Sequence, residues 1–322
     1  MERIAITGSS GLIGTALRHS LASRGYEVVR LVRGGSKQTS ASEVCIPWDP
    51  TGTGMPVSGT EPLERLDAVV HLAGDNLADG RWTAEKKQRI VESRTTSTAV
   101  LATLLASLVR KPRVLISASA IGIYGDRGEE SLTELDDPGN GFLAETVRAW
   151  ERAADPARAA GIRVVHPRFG VVLSPGGGAL KKMLPVFRAG LGGRLGDGQQ
   201  WVSWVSLRDA VSAIESLIDD EGLRGAVNVV SPKPVRNREF TRALGRALHR
   251  PTIFAVPKFV LRAMLGEMAD ETVLASARVL PEVLLAEDFR FWIVDRAAEF
   301  PRLVDECVRN ALHIEVGAGH VP

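Results

Sequence analysis

The segment Thr7 to Gly14, TGSSGLIG, constrains this chain more than any other stretch. An apolar run, Ile4-Ala5-Ile6, leads into it, and Ile13, Leu17 and Leu21 recur every four residues after it, as on one face of a helix. A strand, a glycine-rich turn and a helix therefore follow one another directly. Gly8 suits the tight turn, Gly11 lets backbone approach a pyrophosphate, and Gly14 lets helix and strand pack closely. The first amides of such a helix are unpaired and carry partial positive charge, which seats an anion. The segment predicts a dinucleotide-binding loop, with Ser9, Ser10, Leu12 and Ile13 beside its glycines. A merely structural turn is the bland alternative.

The first half alternates short apolar runs with helical patterns, the signature of parallel βαβ units. Strands are expected at Glu27–Val32, Val44–Trp48, Ala68–Leu72 and Val114–Ser117, with another opening at Arg163–Val165. Helices are expected near 83–109 and 141–160. Glycine then accumulates between Ser174 and Gly198, where Lys181 and Lys182 are either solvated charges or contacts for an anionic substrate. A helix over 205–218 and a strand over 226–230 read as a return to the sheet edge, and helices separated by Pro251, Pro257 and Pro281 follow. The fold class is α/β, a Rossmann-type doubly wound parallel sheet with a smaller, mainly helical C-terminal cap. Residues 1–172 form the nucleotide domain, with 205–230 returning to it, and 173–204 and 231–322 form the substrate domain.

Composition excludes several classes. The formal net charge of +2 and the lack of a dense basic tract argue against nucleic acid. Cys45 and Cys307 give no disulfide framework, and the histidines and cysteines lack metal-ligand spacing, so no metal is expected. No apolar run reaches spanning length, so no membrane association is expected. With its first strand at residue 4, the chain reads as a cytoplasmic protein without a leader.

Longer strings then carry a resemblance. WDP at Trp48, HLAGDNLADGRW at His71, SRTTST at Ser93, SASAIGIYG at Ser117, PRFGVVLSPGGGAL at Pro167 and GLGGRLGDGQQWVSWVSLRD at Gly190 join the opening TGSSGLIG. Together they resemble the extended short-chain dehydrogenases/reductases, with their NAD-dependent epimerases and dehydratases. The match is closest to the atypical "epimerase family protein" branch, short-chain dehydrogenase/reductase family 39U. The likeness runs to about Trp292, and Asp288 stands where that branch usually has glycine before Phe289.

The resemblance implies a catalytic Tyr-x-x-x-Lys pair on the helix after strand five, yet that helix reads GFLAETVRAWE. Arg94 replaces the asparagine expected in SRTTST, and Ser119 corresponds to the family's catalytic serine. Tyr124 is the remaining phenolic proton donor, a packed aromatic being an equally weighted reading, and Arg94 or Arg168 would hold the substrate. Asn76, Arg81 and Trp82 follow strand four and join the substrate set, as do Trp201 and Trp204, for which junction packing is the alternative. Ligands bind outside the carboxyl ends of strands in such sheets, which is where most of these residues fall. His71, alone on an apolar strand, reads more as a bonded core residue than a catalyst.

For the cofactor, strand two ends in Arg30-Leu31-Val32-Arg33, where an NAD-preferring fold would place a carboxylate. Arg33 offers a planar fork to a 2′-phosphate, with Lys37 as a further cation, so NADP(H) is expected. By resemblance, Asp49 beside Trp48 would accept from the adenine amino group. Leu72, Ala73 and Gly74 would pass beneath the adenosine, with Asp75 near the ribose and Arg168 at the far end of the cofactor.

The leading expectation is an NADP(H)-dependent oxidoreductase exchanging hydride with a small carbonyl or hydroxyl substrate. The rivals are a non-catalytic NADPH-binding regulator, redox-sensing or division-related, and a nucleotide-sugar epimerase or dehydratase. A homodimer through the flank Val100, Leu101, Leu104, Leu105 and Leu108 stays open, as does burial of that flank by the sheet.

Overall fold

The computed structural model describes residues 2–34, 44–51, 60–174, 176–292 and 299–318. Gly35, Ser36 and Lys37 lie outside the described residues. The chain divides into two compact units. The first comprises Met1–Ile123, Phe142–Arg168 and Val211–Val227.

Its sheet is built from β1 (Arg3–Thr7), β2 (Glu27–Val32), β3 (Val44–Pro47), β4 (Ala68–His71), β5 (Val114–Ser117), β6 (Arg163–Phe169) and β7 (Gly225–Val229). The order is β7-β6-β5-β4-β1-β2-β3, and each pair from β6 to β3 is parallel. This is a Rossmann-like α/β fold. β4 and β5 are buried along their whole length, as their unbroken apolar runs require when both faces are covered. The strand order reverses between β1 and β4, the switch point beside which open α/β sheets bind their ligands.

Helices α1 (Leu12–Ser23) and α2 (Ala84–Ser107) follow β1 and β4. The single helix expected over 141–160 is two, α3 (Phe142–Arg152) and α4 (Asp155–Ala159). Pro156 has no amide to continue the ladder, and its ring clashes with the preceding turn, so the chain restarts there. On α2, Leu101, Leu104, Leu105 and Leu108 sit in one core cluster with Val69, Leu115 and Val164, and Val100 packs against it. The sheet side of the unit therefore consumes the flank that the sequence left open for a second subunit.

The second unit comprises Tyr124–Gly141, Phe169–Ala210 and Asn228–Pro322. It thus takes in Tyr124–Gly141, which the sequence had assigned to the nucleotide half. It holds α5 (Gly178–Arg188) and α7 (Asn237–Leu248), while α6 (Leu207–Asp219) bridges the division. The helix expected from residue 205 starts later because Trp204–Ser206 first pairs with Val171–Leu173 as a short strand. Ser206 Oγ then accepts from the Asp209 amide at 2.9 Å and starts the helix. Other short pairings join Gly193–Leu195 to Phe254–Val256 and Trp201–Val202 to Val235–Arg236. The core gathers Leu180, Leu184, Phe187, Trp204, Phe240, Leu244, Phe300 and Val304. No helix among the described residues is long and apolar enough to cross a membrane.

Two glycines separate backbone strain from close packing. Gly25 has φ +86° with open space around it, whereas Gly8 has φ +63° and a Cβ there would lie 2.7 Å from the Leu72 carbonyl carbon. Gly25→Ala should cost about 1 kcal/mol, the penalty of a left-handed L-residue. Gly8→Ala adds an overpacking term and should cost about 3 kcal/mol. Urea unfolding of both variants checks this, and equal losses would refute the close approach.

Candidate nucleotide and catalytic site

The turn after β1 is closed by backbone. The Gly11 amide donates to the Gly8 carbonyl at 2.9 Å. A Cβ on Gly14 would stand 2.3 Å from that carbonyl oxygen, so the first turn of α1 can lie against the loop only without a side chain. α1 starts at Gly11 with no side-chain cap and no acid in its first turn. α2, by contrast, is capped by Thr83 Oγ1, which accepts from the Lys86 amide at 3.2 Å. The uncapped start of α1 is where an anion completes the helix. Ser9 is buried and its Oγ accepts from Arg30 Nε at 3.0 Å; Ser10 is exposed, and Leu12 and Ile13 are half-buried.

A buried polar chain locks this loop to the loop after β4. Thr7 and His71 are register partners, and Thr7 Oγ1 lies 2.7 Å from His71 Nδ1. The Leu72 and Ala73 amides both donate to Thr7 Oγ1, at 3.1 and 3.3 Å, so its own proton goes to Nδ1. The imidazole is then the Nε2–H tautomer and donates to Ser97 Oγ at 3.3 Å. Ser97 passes its proton to the Ser93 carbonyl at 2.6 Å. Burial lowers the His71 pKa to about 4, so the ring is neutral and structural, as the bland reading of the sequence held.

Arg33 stands exposed at the end of β2, with no partner among the described residues. Trp48 corrects the expectation of a cofactor contact: it is buried in the core and meets the His71 ring edge-on at 6.1 Å. Asp49 is exposed, and its carboxylate accepts from Thr51 Oγ1 at 2.5 Å and the Thr51 amide at 2.8 Å, closing its own turn. Leu72 and Ala73 are half-buried and Gly74 is exposed beside Arg94. The Asp75 carboxylate accepts from Lys86 Nζ at 2.9 Å, which holds it below the usual carboxylate range. Asn76 caps its loop through Asp79 and the Ala78 amide. Trp82 pins the same loop, its indole donating to the Leu77 carbonyl at 2.9 Å and its ring meeting Phe142 edge-on. Arg81 is exposed and unengaged among the described residues.

Of the expected catalytic residues, Ser119 acquires a partner that the sequence reading missed. Its hydroxyl donates to Glu151 Oε1 at 2.6 Å. Glu151 ends the α3 stripe, on the helix expected to carry tyrosine and lysine, and α3 contains neither. Arg168 clasps the same carboxylate, Nε to Oε1 at 2.8 Å and Nη2 to Oε2 at 3.0 Å. Burial pushes the Glu151 carboxyl up, but the Arg168 hydrogen bonds and charge outweigh it and hold the group below its ordinary range. His166 lies beside this pair, buried and neutral, with Nδ1 3.3 Å from the Ser117 carbonyl. Ser117 Oγ is buried there without a partner among the described residues. The only sequence signal for Glu151 was the acid closing GFLAETVRAWE.

Five of the expected site residues are engaged by contacts within the protein, which for Tyr124 and the two tryptophans is the packing reading that the sequence also offered. Arg168 is neutralised by Glu151 and is not a free clamp for cofactor or substrate. Arg94 donates to the Ile90 and Asp75 carbonyls at 3.0 and 2.9 Å and lies 5.2 Å from the Trp150 ring, so it braces α2. Tyr124, in the second unit, is fully buried, its hydroxyl 2.9 Å from both the Thr133 carbonyl and Asn228 Oδ1, so it is no proton donor to a ligand. Trp204 is core, its ring tilted against Phe300 with centroids 5.0 Å apart and its indole donating to the Lys233 carbonyl. Trp201 is held between Arg236 and Arg278, at 3.9 and 4.9 Å, and donates to Glu129. Lys181 and Lys182 are exposed on α5.

The buried histidine gives a pH signature. Its folded pKa, about 4, lies below the ordinary 6.5, so the unfolded chain binds the extra proton between those values. Stability should therefore fall as pH drops through that window, His71 contributing about 3 kcal/mol. His71→Gln should flatten the pH dependence of denaturant unfolding between pH 6.5 and pH 4. An unchanged slope would contradict the assignment.

Comparison with known proteins identifies the family and the fold. The model of the NAD-dependent epimerase/dehydratase family matches residues 4–229, and a domain of unknown function, DUF1731, matches 256–293. An epimerase family protein of Mycobacterium bovis is 44% identical over 289 residues, covering 89% of this chain and 93% of that protein. Epimerase family protein YfhF of Bacillus subtilis is 34% identical over 302 residues, covering 94% and 97%. The crystal structure of human epimerase family protein SDR39U1 with NADPH superposes with a TM-score of 0.82 at 28% identity, covering 96% of this chain and 99% of that one. The Thermus thermophilus UDP-glucose 4-epimerase with NAD shares the fold at 21% identity and a TM-score of 0.73, covering 96% and 99%. The chain belongs to the NAD-dependent epimerase/dehydratase family of extended short-chain dehydrogenases/reductases.

Proposed function

We propose that the chain is an NADP(H)-binding oxidoreductase whose proton route runs through Ser119 and Glu151 in place of a Tyr-x-x-x-Lys pair. The observation that carries this reading is the 2.6 Å bond from Ser119 to a carboxylate that Arg168 keeps ionised. The nucleotide loop fits the cofactor: glycines fill the positions where a Cβ would collide, and the start of α1 lacks any internal cap. Arg33 would take the 2′-phosphate, and no carboxylate stands at the end of β2 to repel it. When bound, the nicotinamide supplies or accepts hydride at C4.

With its proton committed to Glu151, Ser119 Oγ presents lone pairs to a substrate hydroxyl. As a secondary alcohol is oxidised, its proton passes to Ser119 Oγ and the serine proton moves to Glu151. The reverse path protonates the oxygen of a reduced carbonyl. Arg168 fixes the carboxylate's orientation and stabilises its anionic form. A second reading, NADPH binding without turnover, is favoured by one observation: the polar groups of Tyr124, Arg94 and Asp75 are engaged within the protein.

NADPH fluorescence titration, with NADH and Arg33→Glu as comparators, tests the cofactor. Preference for NADPH that falls by about tenfold or more in Arg33→Glu is expected, the loss of one charge-assisted phosphate contact. Equal affinity for the two nucleotides would remove NADP(H) specificity. For the chemistry, NADPH oxidation across a panel of small carbonyls should fall about a hundredfold or more in Ser119→Ala and Glu151→Gln, with NADPH affinity retained. Tight NADPH binding without hydride exchange for any carbonyl would establish the regulatory reading instead.

A further inference from the structure

The second unit contains a cavity of about 490 Å³ lined by Arg194, Arg238 and Arg242, with Thr241, Asp197 and Gln199 beside them. We propose that it is a binding site for a small phosphorylated molecule, separate from the nucleotide loop.

The cations are placed at an electrostatic cost. Arg238 and Arg242 are four apart on α7 and both line the cavity, a like-charge spacing that destabilises a helix. Arg238 also sits in the first turn, at the positive end of the helix dipole, where a cation is disfavoured. None of the three guanidiniums makes an ion pair or side-chain hydrogen bond among the described residues. The one lining carboxylate, Asp197, faces Lys258 at 3.3 Å. An anion in the cavity would turn each of these repulsions into attraction.

Thr241 supplies an independent sign. It lines the same cavity, is 2% exposed, and its Oγ1 is buried with no hydrogen-bond partner. A buried hydroxyl without a partner is costly unless a ligand completes it.

The frame around these groups is built. The Leu195 amide donates to Asn237 Oδ1 at 2.9 Å, fastening the strand that carries Arg194 to the start of α7. A Cβ on Gly198 would meet Arg238 Cβ at 3.1 Å and Arg194 Cβ at 3.2 Å, so the two arginines leave the backbone side by side. The Asn237 and Arg238 amides are already spent on the Gln200 and Gly198 carbonyls, so recognition falls to side chains. Planar guanidinium forks match phosphate oxygens in pairs. Among the described residues no aromatic side chain lines the cavity to stack a nucleobase. The occupant is therefore a phosphate or diphosphate on a small polar body.

Calorimetric titration of inorganic pyrophosphate into the full chain tests the site. Saturable binding with a Kd below about 1 mM is expected. Arg238→Gln/Arg242→Gln should weaken it by about tenfold or more, and Thr241→Val by several-fold. Ser10→Asp puts a carboxylate beside the uncapped start of α1, where it repels any pyrophosphate held by the nucleotide loop, and should leave this binding intact. Arg246→Gln removes a cation of α7 outside the cavity and should also leave it intact. Thermal unfolding of each variant confirms the fold. No saturable heat in the wild type, equal affinity in the double variant, or loss in Ser10→Asp would each overturn the proposal.

Discussion

The approach of the loop after β1 to the loop after β4 is the constraint on which the rest of the nucleotide unit depends. Gly8 reaches the Leu72 backbone only because it has no Cβ and takes φ +63°. Directly beneath, Thr7 and His71 occupy neighbouring positions on paired strands, both fully buried. Buried polar groups must satisfy one another, and these do so in one direction, from Thr7 through the imidazole to Ser97 and the Ser93 carbonyl. The chain of donors ties β1, β4 and α2 together at the switch point. The uncapped start of α1 follows the turn after β1 directly.

A second constraint governs the carboxyl ends of β5 and β6. Arg168 is buried and cannot stay there unpaired, since an uncompensated buried charge costs several kcal/mol. Glu151 reaches it from the last turn of α3, and the bidentate geometry outweighs the desolvation of the acid. The pair thereby orients Ser119, whose hydroxyl would otherwise have no fixed direction. α3, which contains neither tyrosine nor lysine, thus brings a carboxylate to Ser119 instead.

The sequence displayed the sheet because each strand is a short apolar run between glycines and helical periodicity, and these are local patterns. The α3–α4 break falls at Pro156, within the span 141–160 that the sequence reads as one helix. Short strands such as Trp204–Ser206 are too brief for alternation to register. Side-chain engagement was the least legible. The partners Thr7 and His71 are 64 residues apart, and Ser119 and Glu151 are 32 apart, so no window of sequence contains them. Trp48 entered the cofactor set through its resemblance string and Trp204 was left between ligand contact and packing, whereas the indoles of both fill the two cores.

What finally separates structural from ligand-facing cations in this chain is partnership. Arg94, Arg168 and Arg30 are all buried or nearly so, and each donates to a carbonyl, carboxylate or hydroxyl within its own unit. Those bonds carry the cost of desolvation and leave little for a ligand. Arg33 lies at the end of β2 without such a partner, and Arg194, Arg238 and Arg242 line one cavity in the same condition. A solvated arginine on open surface needs no explanation. Three held around one recess, beside a buried hydroxyl with no partner, are different: the fold keeps them close without neutralising them, and an anion is the species that resolves that arrangement.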